Sequence, residues 1–492
     1  MTRRGSEHAL LPDLDRIADR LRTADAAGEL REAGPGDVVD GVAARAVARP
    51  TTVDGVAAVL REATAQGLAT VARGAGTALD WAAPPERADL ILDTGGLDRL
   101  VEHGAGDLVV VAEAGLPVAA LLETVGGAGQ ELVVDLPPAR LGGGSTVGGA
   151  LAVGASGPRR LQRGALRDLV LGATVVLADG TVAASGGKVV KNVAGYDLAK
   201  LMTGSYGTLG VIVRAAFRLH PVRPTRRWVV ASGPPADVAA RARAVVVSQL
   251  APGAVEIDRP AGSGEATVAV LLEGQETAVV RRAAEAAALT GGDVRTDPPG
   301  WWGVLPDDGA SEAVVRGADR TGRTAGRGDV GPPAARGVLA KATATLTGVG
   351  ALLTAARAAE DAQGIGVAVR GTAAGVLHVA IGDQTVERRD STLPGELAAS
   401  AAPEGRGGAF AGLESMGNRA GEAAAVAGVV RELRAVAPSP RDGTVTVLRA
   451  PRDVRDAVDV WGPVGGLDLM RAIKRRLDPG RNLAPGRFVG GI

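Results

Sequence analysis

The stretch GGGSTVGGALAVGASGPRR, residues 142–160, constrains this chain more than any other. Seven of its nineteen residues are glycine, and its only charges come at the end. Side chains this sparse cannot pack a core element alone. They suit a backbone that something else approaches closely. The apolar insert ALAVGA between the glycines reads as a buried helical turn rather than a loose loop.

Two more glycine loops flank it. RGAGTALDW (73–81) follows a strand over 69–74 directly. A Gly-X-Gly-Thr loop after a strand presents successive backbone N–H groups and a hydroxyl, a concave array that binds phosphate without lysine. A plain surface turn carries the same letters, because short glycine motifs recur by chance. SYGTLGVI (205–212) again supplies backbone donors, through Gly207 and Gly210, before Val211 and Ile212 enter a strand. Lys188, Lys191, Asn192, Tyr196 and Asp197 form the densest polar cluster, which equally suits a well-bonded structural loop.

The loops are neither a Rossmann fingerprint nor a P-loop. The sixth position, counted from Gly74, is Leu79 where the fingerprint needs glycine. Lys188 after Gly187 is followed by Val189, with no hydroxyl for magnesium.

The surroundings read as an α+β fold. Residues 13–31 are expected as a surface helix, 41–50 as a strand, and 51–67 as a helix capped by Thr51 or Thr52. Strands are expected over 89–96 and 107–115, with a glycine-closed helix after Leu116. Residues 168–187 form a hairpin whose Asp179-Gly180 turn suggests type I′. A short helix and a long strand fill 198–221.

PVRPTRR (221–227) is the expected linker. Beyond it come strands WVVAS, AVEID and ATVAVLLEG, a helix ETAVVRRAAEAAAL and a Gly/Pro/Asp/Arg-rich loop over 295–337 carrying Trp301 and Trp302. An Ala-rich helix over 341–361, strands VAVRG and GVLHVAIGD, and helix and loop over 396–436 follow. TVTVLRA, a helix at 466–477 and the tail DPGRNLAPGRFVGGI end the chain. The expected division is a helical extension (1–40), a cofactor domain (41–222), a smaller α+β cap or substrate domain (223–440) and a C-terminal segment packing back (441–492).

Composition narrows the function. Equal counts of 55 basic and 55 acidic residues argue against general nucleic-acid binding. With no cysteine, the chain cannot hold disulfides, thiolate nucleophiles or cysteine-ligated clusters. The N-terminus lacks the apolar run of a signal peptide, and no apolar stretch reaches the ~18 residues of a membrane span. A cytoplasmic protein is expected, reaching the inner membrane face only through partners. Of the four histidines, His8, His103, His220 and His378, none are paired at metal-ligand spacing. His378, mid-strand in GVLHVAI, reads as a satisfied core histidine.

The ordered set RGAGT, LDTGGLDRLVEHGAGDLVVVAEAG, the glycine stretch with its flanks, and GGKVVKNVAGYDLAKLMTGSYGTLGVI resembles the FAD-binding domain of the vanillyl-alcohol oxidase / p-cresol methylhydroxylase (PCMH) superfamily. Within it, the chain is similar to the FAD-binding E subunit of bacterial glycolate oxidase, including a loosely matching tail at Asp478-Pro479 and Pro485-Gly486-Arg487. The resemblance covers residues 42–221 well and leaves 225–440 without a match.

It implies noncovalent FAD between two subdomains. Arg73, Gly74, Ala75, Gly76 and Thr77, with Ser145, Thr146, Val147, Gly148 and Gly149, would hold the pyrophosphate. Ser156, Gly157, Gly207, Gly210, Val211 and Ile212 would line the rest of the flavin. It further implies a complex with a catalytic flavoprotein subunit and an iron–sulfur subunit, acting on a small 2-hydroxy acid. A stand-alone FAD alcohol or hydroxy-acid oxidoreductase and a non-catalytic assembly subunit remain alternatives. No catalytic base is identified.

Overall fold

The structure is a computed structural model that describes residues 15–17, 19, 28–187, 197–307, 337–382, 411–437 and 439–492. The lysine cluster at 188–196, most of the 295–337 segment and residues 396–410 lie outside the described residues.

Three sheets organise the chain. The first comprises β1 (Gly28–Glu32), β2 (Ala46–Pro50), β3 (Thr70–Arg73) and β4 (Leu90–Asp93), in the order β1-β2-β4-β3. β4 pairs in parallel with both β2 and β3. Helix α1 (Val53–Ala65) covers this sheet, and Thr52 caps it by accepting from Gly55 N–H at 3.0 Å. β1 replaces the end of the helix expected over 13–31: GELRE pairs along β2 instead, so sheet pairing overrides local helical spacing.

The second sheet contains β5 (Leu100–Gly104), β6 (Val109–Glu113), β7 (Val170–Val176), β8 (Val182–Gly186) and β9 (Val211–Arg218), ordered β8-β7-β9-β6-β5. α2 (Val118–Gly127) and the short α3 (Val147–Ala152) pack on it. The β7–β8 hairpin forms, but its turn is not type I′. Only Gly180 has positive φ, at +80°, and its N–H donates to Leu177 O while Thr181 O accepts from Leu177 N–H. That is a type I turn with a glycine bulge. Strand β5, LVEHG, has no clear alternation and so carries no strand signal of its own.

The third sheet has eight antiparallel strands: β10 (Thr225–Gly233), β11 (Ala254–Arg259), β12 (Ala266–Gly274), β13 (Asp293–Arg295), β14 (Val338–Ala344), β15 (Val367–Thr372), β16 (Val376–Ile381) and β17 (Gly443–Arg449). Their order is β13-β10-β12-β11-β15-β16-β14-β17. One face packs on α4 (Pro235–Val246), α5 (Glu276–Thr290), α6 (Gly348–Gln363) and α7 (Ala411–Ala435), where Val255, Ile257, Val369, Leu377 and Val379 are buried.

The helix expected over 341–361 starts late. Residues 341–344 continue β14, because KATA alternates with period two, and α6 begins only at Gly348. The opposite sheet face meets the glycine-loop region: Leu339 and Leu448 pack on Trp81 and Leu305. No described helix is long and apolar enough to cross a membrane.

The tail returns to the first sheet. Asn482 O accepts from Thr70 N–H at 2.7 Å, and Arg487 donates to Trp81 O at 2.8 Å. Helix α8 (Leu467–Leu477) buries Lys474, whose ammonium donates to Thr208 O, Leu483 O and Asp478 at 2.7–2.9 Å.

Candidate functional site

The first two glycine loops meet at the end of β3. Thr77 Oγ1 lies 2.7 Å from Ser145 Oγ. A Cβ on Gly74 would stand 2.2 Å from Thr146 Oγ1. Gly76 and Gly144 both adopt φ near +78°, which a side chain would strain. Thr146 accepts from Gly149 N–H at 3.3 Å and so starts α3.

These loops open into a cleft of about 1090 Å³. Arg73 through Thr77, Ser145, Thr146, Gly149 and Ser156 line it. The other sequence candidates lie elsewhere. Val147 is buried in the core under α3, and a Cβ on Gly148 would meet Ala114 Cβ at 2.7 Å, so Gly148 serves helix-to-strand packing. Gly210, Val211 and Ile212 run into β9, with Val211 and Ile212 facing buried clusters. Gly207 (φ +75°) follows Tyr206, which does line the cleft. Gly157 lines an adjoining chamber, and a Cβ there would meet Asp135 O at 2.3 Å.

Several lining groups had no signal in the glycine motifs. Arg140 stacks its guanidinium 4.1 Å from the Trp81 ring centroid and donates to Thr77 O. Arg487 reaches the cleft from the tail. Burial pushes the Tyr206 phenol up to about 12. Arg73 is held by Asp37 at 2.9 Å and Asp93 at 3.3 Å.

The far wall comes from the eight-stranded sheet. His378 on β16 stands opposite Lys341 on β14 and opposite Arg370 on β15. Asp258 on β11 stands opposite Arg370, and Thr446 on β17 opposite Lys341. One polar row thus crosses five strands. His378 is not a core histidine: it lines the cleft with Lys341. The period-two pattern contained the signal, since Leu377 and Val379 point to the helices and His378 therefore to the other face. Burial within the walls, with the Lys341, Arg140 and Arg160 cations adding, pulls His378 down to about 3. The imidazole therefore stands neutral among these cations.

The cleft fits a dinucleotide. Bare loops leave room for close backbone approach, and Trp81 Nε1 and Arg487 Nη1 are buried donors without a protein partner among the described residues. Such donors suit phosphate oxygens or flavin carbonyls. Residues 44–186 match the FAD binding domain family. The chain is 30% identical over 217 residues to glycolate oxidase subunit GlcD of Bacillus subtilis, covering 44% of this chain and 46% of that one. It is 40% identical over 122 residues to glycolate oxidase subunit GlcE of Escherichia coli, covering 25% and 34%. It is 36% identical over 175 residues to D-lactate dehydrogenase of Archaeoglobus fulgidus, covering 36% and 38%. The chain spans less than half the length of each of these relatives.

Among solved structures, 4-ethylphenol oxidase from Gulosibacter chungangensis superposes with a TM-score of 0.64 at 16% identity, covering 97% of this chain and 98% of that one. Xylooligosaccharide oxidase from Myceliophthora thermophila gives 0.60 at 14%, covering 95% and 97%. The whole chain therefore shares the fold of these structures, a PCMH-type α+β fold, with the matched stretch 44–186 inside it.

Proposed function

We propose that this chain is an FAD-dependent oxidoreductase acting on a small 2-hydroxy acid, working as the FAD-binding subunit of a glycolate oxidase or dehydrogenase complex. The observation that carries the reading is the cleft itself. It joins the glycine loops to a wall that places the neutral His378 imidazole beside the Lys341 ammonium. The relatives' names, glycolate oxidase subunits and D-lactate dehydrogenase, support the substrate class.

FAD, when bound, supplies the two-electron acceptor for the substrate C–H. The residues present do the rest. Arg73–Thr77, with Ser145, Thr146 and Gly149, would hold the pyrophosphate, while Val147 and Gly148 act through packing. Trp81, Arg140 and Arg487 close the same cleft. The neutral His378 would accept a hydrogen bond from the substrate hydroxyl through a ring nitrogen and so orient it, and the sheet excludes water. The flavin is held noncovalently, since no cysteine exists and no histidine stands in RGAGT. The likeness to glycolate oxidase subunits supports a route in which electrons leave to a catalytic flavoprotein subunit and an iron–sulfur subunit, this chain having no cysteine for a cluster of its own.

Co-purification from the native host, with mass spectrometry and a visible spectrum, tests this. Expected are a flavin spectrum, flavin released by acid precipitation, and the two partner subunits. Absence of flavin from folded protein overturns the enzyme reading. Turnover of a hydroxy acid by the isolated chain with an artificial acceptor overturns the need for partners.

A further inference from the structure

The flavin cleft adjoins a second chamber of about 450 Å³. Pro137, Ser156, Leu305 and His378 line both spaces. The chamber adds Arg160, Arg370, Glu256 and Asp135. Two of these charges are already compensated. Arg370 Nε donates to Asp258 at 2.7 Å, and Asp135 accepts from Arg159 Nε at 2.9 Å.

The other two cations at this junction are not. Arg160 Nη1 donates to Ser156 Oγ at 2.9 Å, and among the described residues no carboxylate forms an ion pair with it. Lys341, directly opposite His378, likewise has no ion-pair partner among the described residues. Burial and the nearby Arg160 pull its ammonium below the ordinary value. A buried cation without an anion is costly unless a ligand supplies the charge.

Glu256 gives a second, independent observation. It is only 5% exposed, Thr372 hydrogen-bonds its carboxyl, and its Oε1 has no hydrogen-bond partner among the described residues. Burial and the neighbouring Asp135 push its carboxyl well above the usual range, so it stands as a neutral donor and acceptor.

We propose that the junction of cleft and chamber at His378 binds a short monocarboxylate: Arg160, from the chamber side, and Lys341, from the cleft side, hold the carboxylate, and Glu256 hydrogen-bonds the ligand's second, uncharged polar group. This deepens the hydroxy-acid reading and rests on it for the identity of the substrate. A guanidinium offers a planar fork and an ammonium a point charge, a pairing that holds one carboxylate from two sides. A second carboxylate on the ligand would be buried with no uncompensated cation left to pair with it, since Arg370 is already held by Asp258, which disfavours dicarboxylates.

Calorimetric titration of the FAD-loaded full chain with oxamate, followed also by flavin absorbance, tests the site. Oxamate should bind. Arg160→Met and Lys341→Met should each weaken it about tenfold or more, with flavin content and circular dichroism unchanged. Arg160→Lys and Lys341→Arg should restore part of the affinity. Glu256→Gln should bind, since an amide still donates, and Glu256→Leu should not. Lys341→Met should also raise Tm, because an uncompensated buried cation is removed.

Unchanged oxamate affinity in both Met variants overturns the site, as does no oxamate binding to the wild type. 2-Oxoglutarate bound as tightly as oxamate overturns the monocarboxylate assignment. A hydroxy acid oxidised with unchanged KM in both Met variants leaves the reaction and removes this site. Cation-dependent oxamate binding in a chain that oxidises no hydroxy acid leaves the site and removes the reaction.

Discussion

Gly74 and Thr146 stand so close that a Cβ on the glycine would lie 2.2 Å from the threonine Oγ1 and 3.0 Å from its Cγ2. The contact locks the first glycine loop onto the second at the proposed pyrophosphate site. Gly74→Ala should separate the loops and cost about 1–3 kcal/mol of stability by overpacking. FAD content should fall with it. Thr146→Gly in the same chain removes the clashing atoms, so the double variant should regain flavin relative to Gly74→Ala alone. Flavin-to-protein ratio and thermal melts of the four proteins in the cycle decide it.

Arg73→Ala should behave more mildly. Arg73 shares Asp37 with Arg31, whose guanidinium lies 2.6 Å from that carboxylate and, with the Gly34 N–H, keeps it far below its usual range. Asp37 therefore stays ionised and paired when Arg73 is lost. The expected outcome is a stability change near about 1 kcal/mol and a several-fold weaker FAD Kd by fluorescence titration. Backbone donors of Gly74–Thr77 remain in place.

The C-terminal tail is latched by one buried lysine. Lys474 donates to Asp478, Thr208 O and Leu483 O, and its side chain is 4% exposed against 0% for Asp478. Lys474→Met leaves the Asp478 carboxylate buried with only the Asn482 and Leu483 N–H groups. The cost should be about 3–5 kcal/mol, read by chemical denaturation. Because the same tail carries Arg487 to Trp81 O, FAD affinity should fall as well.

The glycine loops were legible because what they need is local. Positive φ at Gly76 and Gly144 and close approach at Gly74 are backbone demands written in residue identity. Gly148 shows the limit: its bareness is equally local, but the partner that requires it is Ala114, distant in sequence, so packing could not be told from ligand approach. The β14 strand was hidden because KATA is both Ala-rich and alternating, and only pairing with β16 and β17 decides between the two. Lys341, His378 and Arg160 are 37 to 218 residues apart in sequence, and no motif spacing joins them. Cross-strand register does, and register is a tertiary property.

His378 should leave a mark on stability against pH. Its folded value is pulled down to about 3, first by burial and then by the Lys341, Arg140 and Arg160 cations, from an ordinary 6.5. The unfolded chain therefore takes up a proton near pH 6.5 while the folded chain resists until about pH 3. Stability rises with pH across that interval, because the unfolded state binds more protons there. It is complete above about 6.5 and declines as pH falls toward about 3. His378→Asn removes the titrating group, so the difference in Tm between wild type and variant should drift in the variant's favour as pH is lowered through this window. A constant difference from about pH 7 to about pH 4 would mean that the imidazole is not held neutral among those cations.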